Sequence, residues 1–497
     1  MKKYILSIDQ GTTSTRAILV NKYGEEVCKA QRPVDCVFPR PGWVEVDADR
    51  LWISVIDVLN ELLVLGDVSM DDIAGIGLTN QRETTIVWEK ATGRAVHNAI
   101  VWQSKQTQEL CDERASFSDF IHKKTGLRMN PYFSASKIRY ILDSIPDGQE
   151  RAERGELLFG TVDSWLIYKM TKGKVHATDV TNASRTLLFD IFKMAYDKEL
   201  CDIWNIPMNM LPVVKESSFD YGEASYFPGN VHIYGVAGDQ QAALFGQCCF
   251  RKGDSKNTYG TGCFMLMNIG HTPILSKEGL LTTVAWKENG ETTYALEGSV
   301  FIGGAIVQWL RDQTRWFEDS PDSEFYAKKV PDTAGVYFVP AFVGLGTPWW
   351  DDDTRGAIFG LTRGAERHNI TRAGLESIAY QSKDVIETMK REAGLDLHSL
   401  RVDGGASAND LLMQFQADIL QCEVHLPVCL ETTALGAAYF AGLACGFYDS
   451  KKDIESNHGI QKKFRPRMKK EEAEERYDGW LCAIAAARAF KPKKKAE

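Results

Sequence analysis

Hydrophobic and polar positions alternate along the chain in blocks that predict a mixed α/β protein. Short apolar runs at 4–8 and 16–20 flank a polar, glycine-containing loop, which predicts two strands joined by a turn. Residues 49–65 carry apolar side chains at helical spacing, and the runs at 73–78 and 84–88 again have the character of strands. Strands followed by a helix and further strands indicate an α/β lobe.

A similar pattern returns in the second half of the chain. The segment NTYGTG at 257–262 precedes an apolar run at 263–269, and its Gly-Thr pair matches the pair in the first loop. Farther on, 373–389 has the spacing of an amphipathic helix, and DGGASAND at 403–410 predicts a Gly-Gly turn before another helix. The N-terminus of such a helix can hold an anion. The repeat predicts an internal duplication of one nucleotide-handling lobe.

The chain is too long for a single hydrophobic core. At 497 residues it is expected to form more than one core-bearing unit, and the repeated loop divides it into lobes of residues 1–250 and 251–497. Apolar residues make up 44% and charged residues 25%, which is the balance of a globular protein. Each half therefore has the material for a core of its own.

Charge and targeting signals exclude several classes of partner. A net charge of −9 argues against nucleic acid or an anionic membrane as the main partner. The apolar stretch at 432–447 is shorter than the ~20 residues of a membrane span, so it predicts a buried helix. Eleven cysteines without a Cys-x-x-Cys motif favour reduced thiols, and the N-terminus lacks a secretory signal. A cytoplasmic location is expected.

The loop after the first predicted strand is a candidate site for Mg²⁺ and a nucleotide. Asp9 stands at the strand end and can bind the metal or its water. The glycine and hydroxyl residues at 11–15 can approach and donate to phosphate, and Arg16 adds a forked donor. A plain hairpin turn is the alternative, since these are also turn residues. The Gly-Lys-Ser/Thr ending of a Walker A loop is absent.

Asp239 is the candidate proton acceptor. It lies between the apolar run at 231–236 and a predicted helix, where an acid is well placed to accept a proton. A structural role as the helix N-cap is the alternative.

The polar segment TNQRET at 79–84 follows a predicted buried strand. Its neighbouring Arg82 and Glu83 offer the donors and acceptors that suit a polyhydroxylated substrate, although a surface ion pair is an equal alternative. Trp102, Tyr132 and Phe264 are aromatic candidates for the same site or for the core.

Eight segments, in this order and over nearly the whole chain, resemble the FGGY family of carbohydrate kinases. They are DQGTTSTR from Asp9, PGWVEVDA from Pro41, GLTNQRETTIVW from Gly77, AIVWQ from Ala99, GVAGDQQAALFGQ from Gly235, NTYGTGCFMLMN from Asn257, FVGLGTPWWD from Phe342 and DGGASAND from Asp403. Each string is common in type, but eight in sequence are specific. The Asn-Gln-Arg-Glu string resembles the family members that phosphorylate glycerol.

The resemblance implies two actin-like (ribonuclease H-like) α/β lobes with an active site in the interlobe cleft. It implies ATP-dependent phosphorylation of glycerol to sn-glycerol 3-phosphate, with Asp239 as general base and a homo-oligomer, dimer or tetramer. The implied glycerol contacts are Arg82, Glu83, Trp102, Tyr132, Asp239, Gln240 and Phe264. The implied nucleotide contacts are Thr12, Thr13, Ser14, Arg16, Thr261, Gly304, Gln308, Gly405 and Asn409. The implied Mg²⁺ ligands are Asp9 and Asp239.

Two other functions fit parts of this pattern. A kinase of the same family that acts on a pentulose or gluconate would keep Asp239 and change the contacts at Arg82, Glu83 and Trp102. A non-enzymatic actin-like ATPase would need a filament surface or a further domain, whereas the motifs occupy both halves of the chain.

Overall fold

Two mixed β-sheets carry the fold of the computed structural model, which describes residues 2–491. The strands are β1 (Tyr4–Gln10), β2 (Ser14–Val20), β3 (Glu26–Pro33), β4 (Glu45–Val46), β5 (Ile73–Asn80), β6 (Ile86–Glu89), β7 (Ala99–Ile100), β8 (Leu157–Gly160), β9 (Ala177–Asp179), β10 (Phe189–Asp190), β11 (Ala195–Tyr196), β12 (Val213–Lys215), β13 (Ile233–Gly238), β14 (Ser255–Tyr259), β15 (Cys263–Gly270), β16 (Leu281–Glu288), β17 (Glu291–Val300), β18 (Tyr337–Val339), β19 (Ala357–Phe359), β20 (Ser399–Asp403), β21 (Glu423–Pro427) and β22 (Ile460–Phe464).

Helices cover both sheets. They are α1 (Ala48–Leu65), α2 (Gln108–Asp112), α3 (Ser118–Thr125), α4 (Ser134–Ser144), α5 (Gly148–Glu153), α6 (Val162–Met170), α7 (Val180–Ala183), α8 (Lys198–Ile203), α9 (Asp239–Gly246), α10 (Ala305–Asp312), α11 (Asp322–Ala327), α12 (Arg367–Ala393), α13 (Asp410–Leu420), α14 (Thr432–Ala444), α15 (Lys451–Asn457) and α16 (Lys470–Ala489). Within the described residues, none of these helices is both long and apolar enough to cross a membrane.

The two large sheets repeat one arrangement of strands. The first has the order β13-β5-β1-β2-β3, with β1 and β3 antiparallel to β2 and with β5 and β13 parallel to β1. The second contains the order β21-β20-β14-β15-β17 with the same directions, and β16 and β22 extend its edges. This repeat confirms the predicted duplication and the two-lobed α/β fold.

Local predictions from the apolar pattern hold with small shifts of boundary. The helix predicted at 49–65 is α1, capped by Asp47, whose side chain accepts from two backbone N–H groups. The apolar stretch at 432–447 is the buried helix α14, as predicted. The strand predicted at 84–88 begins only at Ile86, because Glu83 has a left-handed backbone with φ of 59° and the chain turns there.

Helices α9 and α14 join the two lobes. Helix α9 follows β13 of the first sheet, and its Phe245 packs in a core that includes residues of the second sheet. Helix α14 follows β21 of the second sheet and packs across the first. The two helices cross at Gly246 and Gly436, where an added Cβ would collide with a backbone carbonyl of the other helix. The small residues therefore allow the backbones to touch.

We expect Gly436→Ala to destabilise the protein by about 2–3 kcal/mol, because overpacking at a rigid backbone contact forces both helices to shift. Thermal or urea unfolding measures the change. Gly364→Ala is the matched control, since Gly364 lies in an exposed loop with the nearest atom 3.9 Å from its added Cβ. Equal stability of both variants would contradict the close crossing.

Candidate active site

Asp239 and Arg82 meet where strands β5 and β13 end. Asp239 is the first residue of α9, and the N-cap position falls to Gly238, so the capping alternative for Asp239 is wrong. Its Oδ1 accepts from the Gln240 backbone N–H at 2.7 Å and lies 3.3 Å from Arg82 Nε. The Asp239 side chain is 29% exposed and that of Arg82 only 2%, so the carboxylate faces the cleft with the guanidinium behind it.

Arg82 and Glu83 belong to a buried cluster of four charges. Glu297 on β17 accepts two hydrogen bonds from the Arg82 guanidinium, at 2.5 and 2.9 Å. Arg185 donates to Glu83 at 2.5 Å and to Glu297 at 3.2 Å. All four side chains are at most 2% exposed, so the alternative of a surface ion pair is wrong.

Glu297 stays ionised in this cluster. Burial by itself raises the pKa of its carboxyl, but the charges of Arg185 and Arg82 outweigh burial and lower the pKa to about 2. The ionised carboxylate then fixes the plane of the Arg82 guanidinium through two parallel hydrogen bonds. Sequence reasoning missed both Glu297 and Arg185. The available signal was an acid, Glu297, inside the buried part of β17.

Three aromatic rings contact one another and form a wall beside the loop between β1 and β2. The ring of Trp102 meets that of Tyr132 edge-on at 5.6 Å and that of Phe264 at 6.3 Å. All three side chains are partly exposed. The indole Nε1 of Trp102 donates to Thr12 Oγ1 at 2.8 Å, which links the wall to the loop between β1 and β2.

Asp9 lies at the end of β1 within electrostatic reach of Asp239. Burial raises the pKa of Asp9, Arg16 lowers it and the Asp239 and Glu431 carboxylates raise it, so that the pKa is about 7. Arg16 lies 3.9 Å from Asp9 but only 2.7 Å from Glu431. Two neighbouring carboxylates are a suitable donor set for a divalent cation.

Mg²⁺ is commonly held by one or two carboxylates together with substrate phosphates and water. In the described part of the chain, no group of three or more His, Cys, Asp and Glu side chains could hold a metal by itself. The pair Asp9 and Asp239 therefore fits a metal that arrives with a nucleotide.

The first predicted nucleotide loop is a tight turn. The Gly11 N–H donates to the Ser14 carbonyl at 2.9 Å, and the Thr13 carbonyl accepts from the Val34 N–H at 2.8 Å. The side chain of Thr13 is exposed, and those of Thr12 and Ser14 are half-buried. Hydroxyl groups thus line an open turn beside Asp9.

Thr261, Gly304, Gly405 and Asn409, four of the five predicted nucleotide residues of the second lobe, lie on three loops. The Gly304 N–H donates to the Gly260 carbonyl at 2.8 Å, beside Thr261, and a Cβ on Gly304 would lie 3.8 Å from Ala406. Gly405 has open space around it, and Asn409 caps α13 by accepting from the Leu412 N–H at 2.9 Å.

Gln308 is the candidate with the fewest contacts. It lies exposed on α10, one turn after Gly304, and its side chain makes no hydrogen bond with residues 2–491. Within residues 2–491, no hydrogen bond or ion pair joins the Gln308 side chain to Asp239 or Arg82. Gln240, in contrast, is held by Lys256, a buried residue that sequence reasoning also missed.

Comparison with known proteins decides the family. The model of the FGGY family of carbohydrate kinases, N-terminal domain, matches residues 4–246, and that of the C-terminal domain matches residues 255–445. The chain belongs to the FGGY family. The FGGY relatives include the glycerol kinases of Bacillus cytotoxicus, 55% identical, and Bacillus mycoides, 54% identical, each over 99% of this chain and 100% of the relative.

Solved structures of FGGY kinases share the fold. A glycerol kinase of Plasmodium falciparum with ADP is 37% identical, with a TM-score of 0.92 over 97% of this chain and 98% of that one. A gluconate kinase from Lactobacillus acidophilus has a TM-score of 0.88 at 22% identity, over 98% of this chain and 99% of that one, and shows the fold alone.

We expect Glu297→Gln to destabilise this FGGY protein by about 3–5 kcal/mol, because two buried guanidinium groups lose their shared partner. Urea unfolding at pH 7 measures the effect. Glu291→Gln, exposed at the start of the same strand, is the control.

The difference in the free energy of unfolding between wild type and Glu297→Gln should decrease at low pH. The pKa of Glu297 in the folded protein is lowered to about 2, whereas in the unfolded chain it is ~4.5. The ionised carboxylate therefore contributes fully to the free energy of unfolding above the unfolded pKa, and this contribution is lost as the pH falls toward 2. The gap between wild type and Glu297→Gln should therefore narrow over that range. A constant gap would contradict the charge cluster.

Proposed function

We propose that this chain transfers the γ-phosphoryl group of ATP to glycerol, giving sn-glycerol 3-phosphate and ADP. One observation carries the proposal: Arg82 and Glu83, held in the buried charge cluster, lie beside Asp239 near a wall of aromatic rings. Such a pocket offers fixed polar groups for hydroxyls and apolar surface for a short carbon chain. The relatives named glycerol kinase, at 54–55% identity over their full length, support this substrate.

Asp239 would accept the proton of the attacking hydroxyl. As the hydroxyl oxygen bonds to the γ-phosphorus, the bond to the β–γ bridging oxygen breaks, ADP leaves, and the proton passes to the Asp239 carboxylate. A carboxylate is a far weaker base than an alkoxide, so the proton is taken late, in step with a loose transition state that needs little ionisation of the nucleophile. Positioning then accounts for most of the rate.

The polar and aromatic groups would hold the acceptor. Arg82 would donate to a glycerol hydroxyl oxygen and Glu83 would accept from one, while Tyr132 and Gln240 add further hydrogen bonds. Trp102 and Phe264 would pack on the carbon chain, which is the usual role of aromatic faces in polyol sites.

The nucleotide would lie across the loops of both lobes. The proposed contacts are Thr12, Thr13, Ser14, Arg16, Thr261, Gly304, Gln308, Gly405 and Asn409. Asp9 and Asp239 would hold Mg²⁺, which when bound neutralises charge on the phosphate oxygens. Because ATP is the donor, we infer a cytoplasmic location. A homo-oligomer, dimer or tetramer, is our proposal from the family resemblance and is tested by light scattering.

The reaction is tested by ADP release from Mg-ATP with glycerol, dihydroxyacetone, xylulose, ribulose and gluconate offered separately. We expect strong stimulation by glycerol, with sn-glycerol 3-phosphate as the product. Stimulation by a pentulose or gluconate alone would move the substrate within the family. ATP hydrolysis indifferent to every polyol would favour an actin-like ATPase instead.

Asp239→Asn should lower kcat by about 100- to 10,000-fold, the range typical of a lost general base. The amide keeps the shape of the side chain, so the variant should remain folded, and retained glycerol binding can be checked by calorimetry. Asp35 is exposed in the segment that follows β3, so Asp35→Asn is the control and should match wild type. Near-wild-type turnover of Asp239→Asn would overturn the assignment of the base.

A further inference from the structure

Lys256 is a fully buried lysine on β14 of the second lobe. Its ammonium donates to Gln240 Oε1, to Thr258 Oγ1 at 2.9 Å and to the Phe264 carbonyl at 3.2 Å. A lysine ammonium has three donors, and these three acceptors use all of them. Lys256 therefore has no donor left for a substrate or a phosphate, and any role in the reaction must pass through the groups that it holds.

The contact with Gln240 decides the orientation of that amide. An ammonium only donates, so the Gln240 atom that faces it is the carbonyl oxygen. The amide nitrogen then points away from Lys256, and it donates to no other residue in the described part of the chain. The Gln240 backbone N–H donates to Asp239 Oδ1 at 2.7 Å, so the free amide donors belong to the same turn as the proposed base.

The charges around Lys256 favour its protonated form. Burial lowers the pKa of the ammonium, the carboxylates of Asp403 and Asp239 raise it and Arg82 lowers it, and together these effects bring the pKa to about 8. At neutral pH the side chain is therefore mostly protonated and holds all three hydrogen bonds. A neutral amine would offer two donors and one acceptor, and the orientation of the amide would no longer be fixed.

We propose that Lys256 is a positioning residue that sets the amide of Gln240 so that its N–H groups face a substrate hydroxyl oxygen. The proposal rests on the function proposed above. Without Lys256 the Gln240 amide can rotate and present its carbonyl oxygen to the substrate. That oxygen can only accept a hydrogen bond from a substrate hydroxyl group. Since Lys256 lies on β14 and Gln240 on α9, the acceptor pocket is complete only when both halves of the chain contribute.

The test is a double-mutant cycle in steady-state kinetics with glycerol varied at saturating Mg-ATP. Lys256→Met should raise KM for glycerol about tenfold, the effect of one hydrogen bond of ~1.4 kcal/mol, and should lower kcat less than threefold. The double variant Lys256→Met/Gln240→Leu should have the KM of Gln240→Leu alone, because the lysine acts through the glutamine. Lys252→Met, exposed just before β14, is the control.

Gln240→Glu is a second variant that does not remove the lysine. Its carboxylate still accepts from Lys256, so the protein should fold as wild type, but it has no N–H donor for the substrate. We expect KM for glycerol to rise as in Gln240→Leu. The Gln240→Glu variant tests the role of the Gln240 N–H groups even if Lys256→Met fails to fold. Circular dichroism would show such a failure.

Three results separate this proposal from the one on which it rests. Wild type without glycerol-dependent ADP release would overturn the proposed function. If wild type is active but the KM increases of Lys256→Met and Gln240→Leu multiply in the double variant, the two residues act independently. That result would overturn the positioning role. So would a Gln240→Glu variant with the KM of wild type.

Discussion

The buried cluster of Arg82, Arg185, Glu83 and Glu297 is the constraint on which the site depends. A guanidinium removed from water costs several kcal/mol unless a paired carboxylate compensates it. Arg82 and Arg185 belong to the first lobe, and the carboxylate that they share is on β17 of the second. Separation of the lobes at this depth would leave buried charges unpaired. Any closing motion must therefore leave this end of the cleft intact and move the outer loops.

Helices α9 and α14 add a mechanical constraint to the electrostatic one. Each follows a strand of one sheet and packs among residues of the other, and Gly246 and Gly436 bring their backbones into contact. Asp239 begins α9, so the proposed base is attached to this close crossing of α9 and α14. The hydroxyl turn after β1 and the loops near Gly304 and Gly405 lie outside that junction. Under the proposed function, the acceptor end of the site is therefore preorganised by this packing.

Local signals made much of the fold predictable. The Gly-Thr pair recurs because each lobe makes a tight turn at this pair, between two antiparallel strands of its large sheet. The apolar spacing of α1 and α14 survives because each helix buries one face or its whole length. The eight family segments contain Asp239, Arg82 and Trp102, and the structure places the first two side by side.

The partners of those residues could not be predicted from local sequence. Arg82 pairs with Glu297, 215 positions away, and lies 3.9 Å from the carboxylate of its neighbour Glu83. The left-handed backbone of Glu83 turns its side chain toward Arg185 instead. Lys256 stands in a strand between polar residues and has the local pattern of a surface lysine, although it is fully buried. Only the packing of the second lobe against the first decides these contacts.

The pairing of Arg82 also limits what that residue can do in catalysis. Its two terminal nitrogens are bound to Glu297, and one of them also donates to Gln241 at 3.2 Å. Its charge therefore stays at the acceptor end of the site and cannot follow the phosphoryl group toward the nucleotide. Under the proposed function, stabilisation of the transferring group would come from groups at the proposed nucleotide loops, such as the Thr12 turn and Arg16, together with Mg²⁺ when bound. Under the proposed function, a fixed cation beside Asp239 would hold the acceptor, and separate donors beyond it would stabilise the transferred phosphate.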